Sequence, residues 1–357
     1  MDTDGSPPDA LLRGFWYPAL PSARLRRGRL KALRLLNVPL VVGRTAGGRA
    51  FALGSRCPHR GMPLWFGHLD GDLLECCYHG WRFDVDTGRC REIPSLAGSS
   101  AVPPKQAFTA VYACQESDGH VWVYVPALTS LDQTLPPAPS LPVFGRRYGL
   151  VHVSVPLQAT FDHATIGLID PAHSAYVHRS WWWREPRAVR EKEKVFEAIP
   201  HGFRMRWHVP SGNSFPYRVL HAFGQTPATT IDFVLPSVRM EQIHCGRYWL
   251  SNRLMVTPET TDRCRLDFWA ASNVLSWCRP LGLLLRLVVR RFLLQDQATM
   301  AKLSAGSDRD WPMMLFGGAD QPAAWYLQLK KAWVDAQRNG RPARHPLAEP
   351  VTLRWRT

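Results

Sequence analysis

The chain has 357 residues, of which 45% are hydrophobic and 20% are charged. This length allows two domains with separate cores, and the composition excludes a disordered or fibrous protein. The formal net charge of +15 fits a nucleic acid, an anionic membrane surface or an acidic protein partner. The sequence contains no helix-turn-helix, RRM or zinc-finger spacing, so nucleic-acid binding is not expected.

Targeting signals are not evident in the sequence. The first ten residues are acidic and rich in proline, without the apolar core of a secretion signal. The longest apolar run, Leu281–Leu294, contains three arginines, so we do not expect it to span a membrane. Eight cysteines without a signal peptide indicate a reducing compartment, where cysteine more often binds a metal than forms a disulfide. A cytoplasmic protein is therefore expected.

The N-terminal part of the chain, residues 14–127, has the pattern of an all-β domain. Glycine and proline separate its short strands, which include Leu40–Gly43, Ala50–Leu53, Leu73–Cys76 and His120–Val125. Residues 128–148 follow as a linker, because four prolines lie between Leu135 and Pro142 and make the segment semi-rigid.

Residues 149–357 have the pattern of a second domain. After a strand comes a helical or irregular stretch, Phe161–His178, and the chain closes with two helices, Leu281–Leu303 and Ala323–Asn339. The predicted strands of this part are Gly149–Val155, Phe203–Val209, Thr230–Leu235, Tyr248–Val256 and Arg265–Ala271. A sheet followed by long C-terminal helices indicates an α+β protein.

Two short segments of the N-terminal part each offer one thiolate and one imidazole. The pairs are Cys57 with His59 and Cys76 with His79, and a glycine follows each pair, which permits a tight turn. Two thiolates on one iron and two imidazoles on the other are the ligands of a Rieske [2Fe–2S] cluster. A Cys2His2 zinc site is the alternative, although zinc fingers usually place a cysteine pair before a histidine pair.

A second group of candidate ligands has the spacing D-x2-H-x4-H and consists of Asp170, His173 and His178. Two imidazoles and one carboxylate leave open positions on Fe(II) for dioxygen and substrate. On a regular α-helix the two histidines would point about 140° apart. They can therefore share a metal only if the segment contains a π-bulge, or if the helix ends before His178.

The carboxylate that completes this set is predicted to be Asp296. It lies within the apolar stripe of a predicted helix, together with Leu285, Val289, Phe292, Leu293, Met300 and Leu303. A carboxylate in such a place must be paired or must bind a metal. A salt bridge to an arginine of another element is the alternative to metal binding.

The motifs CPHRG at residues 57–61 and CCYHGWRFD at residues 76–84 resemble the Rieske domain of the non-haem iron oxygenases. This resemblance covers roughly residues 14–127. It implies that the [2Fe–2S] cluster is bound by Cys57, His59, Cys76 and His79. The family usually has proline after the second cysteine, where this chain has Cys77. The register of the motif favours Cys76 over Cys77 as the ligand.

The second half resembles the catalytic domain of the same family. The resemblance implies a helix-grip (START-like) fold, in which a curved antiparallel sheet wraps around a long C-terminal helix. It also implies that His173, His178 and Asp296 hold a mononuclear Fe(II). Asp170 would bridge a cluster-ligand histidine of one subunit to an iron-ligand histidine of its neighbour in a homotrimer. Family members commonly have asparagine three residues before this aspartate, and this chain has Gly167.

The function implied by the resemblance is that of a terminal oxygenase. A reductase or ferredoxin, supplied by NAD(P)H, would reduce the cluster, and O2 would be activated to hydroxylate or oxidatively demethylate a hydrophobic ring-containing molecule. The basic surface suits an acidic electron carrier. One alternative is the same chemistry on a sterol or terpenoid at a membrane surface, with Leu281–Leu294 in peripheral contact. Another is a Rieske electron carrier or zinc-stabilised binding protein without catalysis.

Overall fold

The computed structural model describes residues 11–96, 104–127, 135–178, 190–210, 217, 226–274, 279–306, 313–339 and 343–357. The chain forms two compact units. The N-terminal unit is Arg13–Ser140, and the C-terminal unit is Leu141–Thr357 with the residues before Arg13. The first part of the predicted linker, residues 128–134, lies outside the described residues.

The N-terminal unit consists of three antiparallel sheets, with strand orders β1-β11-β10, β2-β3-β4-β9 and β5-β6-β7-β8. The strands are β1 Phe15–Pro21, β2 Arg29–Leu35, β3 Val38–Arg44, β4 Ala50–Gly54, β5 His68–Asp70, β6 Leu73–Glu75, β7 Arg82–Asp84, β8 Cys90–Glu92, β9 Val111–Tyr112, β10 Cys114–Ser117 and β11 His120–Val125.

Apolar β-branched and leucine side chains explain the longer of these strands. The six residues of β11 are all buried, and β3 buries its central residues Leu40–Val42. Gly43 is required by packing, because a Cβ atom there would lie 2.3 Å from Cζ of Phe51 on the neighbouring strand. The four strand segments predicted in this unit are confirmed with shifts of one or two residues.

The C-terminal unit is built on one antiparallel sheet of eight strands, in the order β12-β18-β17-β16-β15-β14-β13-β19. The strands are β12 Gly149–Gln158, β13 Glu191–Ile199, β14 Gly202–His208, β15 Ala228–Val234, β16 Val238–Cys245, β17 Tyr248–Pro258, β18 Arg263–Ser272 and β19 Val351–Arg356. The described helices are α1 Phe161–Ile169, α2 Ser174–Val177, α3 Arg279–Gly306 and α4 Gln321–Asn339.

The N-terminal end of helix α1 is fixed by a cap from its own sequence and by contacts with α4. Thr160 caps its N-terminus, where its hydroxyl accepts a hydrogen bond from the backbone N–H of His163. In its first turn, buried Asp162 accepts hydrogen bonds from Tyr326 (2.6 Å) and Lys330 (2.7 Å) of α4. This buried pair fixes α1 against α4 and so positions the segment that follows α1.

The expected α+β architecture is therefore confirmed, with a β-domain first and an antiparallel sheet with C-terminal helices second. Within the described residues, no helix combines the length and the apolar character that crossing a bilayer requires.

Candidate metal centres

Two loops of the N-terminal unit carry the candidate cluster ligands and have the same backbone design. Residues 57–62 lie between the paired residues Arg56 and Pro63, and residues 76–81 lie at the tip of the β6–β7 hairpin. In each loop the N–H of the cysteine donates to the carbonyl of the sixth residue, at 2.9 and 2.8 Å. The glycines at the fifth positions, Gly61 and Gly80, have φ of 73° and 71°, which a residue with a Cβ rarely adopts.

The thiols and the imidazoles of these loops have different surroundings. Cys57 and Cys76 are 2% exposed and belong to the apolar core of the unit. The rings of His59 and His79 lie 4.6 Å apart, and His59, at the surface, stacks on Trp81 at 4.7 Å. A buried sulfur pair and an outer imidazole pair are the donor set of a Rieske cluster.

The burial of the two thiols also bears on the choice between Cys76 and Cys77. Burial, together with the nearby Cys76, raises the pKa of Cys57 to about 11. A pair of thiolates in this core therefore needs a compensating metal. Cys77 is exposed instead and lies outside this core. The position of Cys76 supports its predicted role as the ligand.

Regular helix α1 ends before the two candidate iron-ligand histidines, which lie on either side of a separate short helix. Helix α1 ends at Ile169, Asp170 has extended backbone, and the short helix α2 begins only at Ser174. His173 precedes α2 and His178 follows it with φ −93° and ψ 62°. Of the two geometries that would let both histidines reach one metal, the structure has the one in which the helix ends before His178.

These histidines meet Asp296 of α3. Nε2 of His178 lies 3.3 Å from Oδ1 of Asp296, and Nε2 of His173 lies 3.9 Å from the same oxygen. One ligand atom from each residue lies within 4.8 Å of the others. A metal bound at about 2.1 Å from each ligand atom requires separations of this size.

The remaining ring nitrogens are held by hydrogen bonds that leave Nε2 available. Nδ1 of His173 lies 2.7 Å from the carbonyl oxygen of Asp170, and Nδ1 of His178 lies 3.0 Å from Oε1 of Gln295. Both oxygens are acceptors, so each Nδ1 carries the proton. In the described part of the chain, the buried Nε2 of His178 makes no hydrogen bond. Outer partners of this kind commonly orient metal-binding histidines, so the residues fit a divalent iron.

Among the described residues, Asp296 forms ion pairs with the two histidines and not with an arginine. This geometry favours metal binding over the salt bridge considered above. The apolar stripe around Asp296 is also present, because five of its six predicted members line the same cavity: Leu285, Val289, Phe292, Leu293 and Met300. The sixth member, Leu303, is 41% exposed and is not among the cavity-lining residues.

Asp170 shapes the bend through its side chain. Its Oδ1 accepts a hydrogen bond from the N–H of Ala172 at 2.7 Å, while Oδ2 lies 3.9 Å from Nδ1 of His173. The carboxylate is about one third exposed. Asp170 therefore stabilises the turn that leads to His173 and still presents charge at the surface of the C-terminal unit.

A cavity of about 830 Å³ lies beside the three candidate iron ligands. It is enclosed by α1, α2 and α3 and by one face of the eight-stranded sheet, and its lining is mostly apolar. A volume of this size accommodates a ring-containing small molecule. His178 forms part of this wall and stacks on Phe292 at 3.7 Å.

A polar group on the sheet face interrupts the apolar lining, and the sequence patterns did not reveal it. Glu241 of β16 accepts hydrogen bonds from Tyr217 and from Asn252 (3.2 Å), and it pairs with Arg239 at 3.4 Å. Burial alone would raise the pKa of Glu241, but Arg239 and the hydrogen bonds lower it below its ordinary value. The cavity therefore contains a fixed negative charge beside a fixed positive charge.

Gly167, where the family commonly has asparagine, lies against the side chain of Met300. A Cβ atom at this position would lie 2.7 Å from Cε of Met300, which fills the adjacent space in the cavity wall. Gly167→Asn is expected to lower the unfolding free energy by about 1–2 kcal/mol, because Met300 must move.

The matching measurement is a double-mutant cycle in chemical denaturation. Gly167→Asn combined with Met300→Ala should be more stable than the sum of the single variants by about 1 kcal/mol. Gly306→Asn, where a Cβ atom meets nothing within 4 Å, should show no coupling with Met300→Ala. Additive effects at Gly167 and Met300 would contradict the packing explanation.

Comparisons with known proteins agree with this arrangement. The family model of the Rieske [2Fe–2S] domain matches residues 15–111. Chlorophyllide a oxygenase of Chlamydomonas reinhardtii is 33% identical over 193 residues, which are 50% of this chain and 27% of that protein. The oxygenase subunit of 3-chlorobenzoate-3,4-dioxygenase from Comamonas testosteroni is 34% identical over 181 residues, which are 49% of this chain and 39% of that subunit. The chain thus spans less than half of the length of these relatives.

Solved structures share the fold of both units. The structure of NdmA from Pseudomonas putida CBB5 with caffeine has a TM-score of 0.75 at 20% identity, covering 96% of this chain and 97% of that chain. The matched domain, the curated relatives and the fold lead to the same conclusion: residues 15–111 are a Rieske [2Fe–2S] domain, and the chain as a whole resembles the alpha subunits of the Rieske non-haem iron oxygenases.

Proposed function

We propose that the protein is a terminal oxygenase component. It receives electrons from a reductase or ferredoxin, ultimately from NAD(P)H, and uses O2 to hydroxylate or oxidatively demethylate a hydrophobic ring-containing molecule. The observation that carries this proposal is the position of His173, His178 and Asp296 at the wall of the large apolar cavity. A simple electron carrier has no need for such a cavity or for a second group of metal ligands.

Cys57, His59, Cys76 and His79 would hold the cluster, which when bound supplies single electrons at a potential raised by its two neutral imidazole ligands. An iron held by His173, His178 and Asp296 would supply the reductive activation of dioxygen. Three protein ligands would leave coordination positions for dioxygen and substrate, and the three residues themselves line the cavity.

The protein's own residues have the tasks of binding, orientation and exclusion of water. The apolar side chains of α3 and the sheet bind a hydrophobic ring and limit the access of water to the reacting centre. The group of Arg239, Glu241 and Asn252 offers hydrogen bonds to a polar substituent of that ring and so selects its orientation. The hydrogen bonds at Nδ1 of His173 and His178 orient both rings and leave each Nε2 available to a metal.

The electron donor and the assembly state belong to the same proposal. The charge of +15 supports docking of an acidic ferredoxin or reductase, because complementary charge increases the association rate. As in the family arrangement described above, we infer a homotrimer, in which Asp170 bridges a cluster histidine of one subunit to an iron-ligand histidine of the next.

Anaerobic substrate screening tests the proposed activity. The protein is reduced without oxygen, mixed with candidate ring compounds and then exposed to O2, while cluster reoxidation and product are followed together. The candidates include aromatic methyl ethers, N-methyl compounds and a sterol, which cover the two substrate classes considered above. Product formed in step with reoxidation supports the oxygenase. Reoxidation without product for every class, at full iron occupancy, would favour an electron carrier.

The bridging role of Asp170 gives a prediction with a matched pair of variants. Asp170→Asn keeps an oxygen that can accept from the N–H of Ala172 but removes the charge, whereas Asp170→Ala removes both. Both variants are expected to retain cluster and iron and to lose turnover by at least about a hundredfold, because electron transfer across the interface requires the carboxylate. Iron analysis and single-turnover assays measure this. Normal product formation in Asp170→Asn would rule out the bridging role.

A further inference from the structure

The first half of α3 presents an apolar surface that no described residue of the C-terminal unit covers. Leu283, Leu284 and Leu287 are 63%, 57% and 67% exposed. Large apolar side chains exposed next to one another usually mark an interaction site. On the opposite side of the same turn, Gly282 faces the sheet, where an added Cβ atom would lie 3.8 Å from Val151.

Arginines border this surface on both sides. With about 100° per residue, Leu283 and Leu287 form a narrow strip. Arg286 and Arg290 lie on one side of the strip and Arg291 on the other, and all three are exposed. An apolar strip flanked by cations is the arrangement of helices that lie in the plane of a membrane surface, because arginine side chains can extend to lipid headgroups.

The cavity opens beside this surface. Leu284 lines the cavity and is also 57% exposed, while the neighbouring Leu281, Leu285 and Val288 line the cavity from the same half of the helix. The apolar lining of the cavity is therefore continuous with the apolar strip outside. A hydrophobic molecule dissolved in a bilayer could enter without crossing water.

We propose that the first half of α3, Arg279 to Arg291, docks on an anionic lipid bilayer. The three arginines beside the strip attract lipid phosphates and acidic headgroups. The net charge of +15 adds long-range attraction to such a surface. The docking is peripheral and reversible, because the helix lies on the membrane rather than across it.

Vesicle co-sedimentation of the purified metal-loaded protein tests the docking. The probes are vesicles of phosphatidylcholine alone and of phosphatidylcholine mixed in equal parts with phosphatidylglycerol. Binding to the anionic vesicles is expected to be at least about a hundredfold stronger, since each surface arginine contributes roughly a fivefold gain. Added salt should weaken this binding. The assay needs no turnover, so its result is independent of the oxygenase assignment.

Two variants separate the apolar contribution from the charge. Leu283→Glu with Leu287→Glu should abolish vesicle binding, and replacement of Arg286, Arg290 and Arg291 by glutamine should remove the preference for anionic lipid. Leu303→Glu, an exposed leucine further along the same helix, is the matched control and should bind normally. Absence of sedimentation with anionic vesicles, or equal binding by the double glutamate variant, overturns the proposal. A change in oligomeric state in light scattering, with vesicle binding unaltered, would assign the surface to a second copy instead.

Discussion

Asp296→Ala is expected to remove one iron from the protein and to leave the [2Fe–2S] cluster intact. The two histidines that remain offer only neutral nitrogens, and the metal loses its one anionic ligand within this group. Turnover should fall by at least about a thousandfold, because metal activation of a substrate contributes several kcal/mol to the rate. Metal analysis should give about two irons and two sulfides per chain, as in a cluster alone.

The control for this variant is Asp262→Asn, which changes an exposed carboxylate that accepts a hydrogen bond from Thr260 in the same unit. It should retain the full iron content and turnover. If Asp296→Ala kept the mononuclear iron, the carboxylate would have to come from another residue, and the proposed ligand group would be wrong.

Cys76→Ala is expected to abolish the cluster, whereas Cys77→Ala is expected to keep it. The sulfur of Cys76 lies in the core beside Cys57, and the N–H of Cys76 closes its loop by a hydrogen bond to Trp81. Cys77 points outward from the adjacent position. A thiolate ligand of the iron cannot be replaced by a methyl group, so visible absorbance and the EPR signal of the reduced protein should both disappear in Cys76→Ala.

Cys76→Ala and Cys77→Ala can be compared directly, because each variant removes one thiol from the same loop. Electron transfer to the C-terminal unit should fall to background in Cys76→Ala and stay near the wild-type rate in Cys77→Ala. The reverse result, with the cluster lost only in Cys77→Ala, would show that the loop binds iron through the residue in the family's proline position.

Sequence patterns predicted most of the fold because the predicted strands are mostly apolar runs bounded by glycine, proline or polar residues, or alternate apolar and polar residues as β12 does. Three strands of the large sheet were missed, namely β13, β16 and β19. On β13 and β16 the inward positions include Lys192, Lys194, Arg239 and Glu241, which line the cavity instead of a packed core. A strand that faces a binding cavity need not be apolar on its inner face, so the alternation that reveals core strands is absent there.

The sequence predicted those site residues whose motifs lie within a few neighbouring positions, and it missed those that depend on contacts between distant elements. The two cluster loops carry their ligands within a few residues, and the spacing of His173 and His178 already required an interrupted helix if both were to reach one metal. The stacking of Trp81 on His59 and the contact of Gln295 with His178 depend on tertiary packing. Contacts of this kind cannot be predicted from sequence patterns, because they join residues that only the folded structure brings together.

Metal and sulfide analysis of anaerobically purified protein, with EPR of the reduced form, tests the central claim most directly. The account predicts about three irons and two acid-labile sulfides per chain, together with the rhombic signal of a cluster ligated by two thiolates and two imidazoles. A protein that contains zinc in place of iron, or that shows no such signal after reduction, would contradict it.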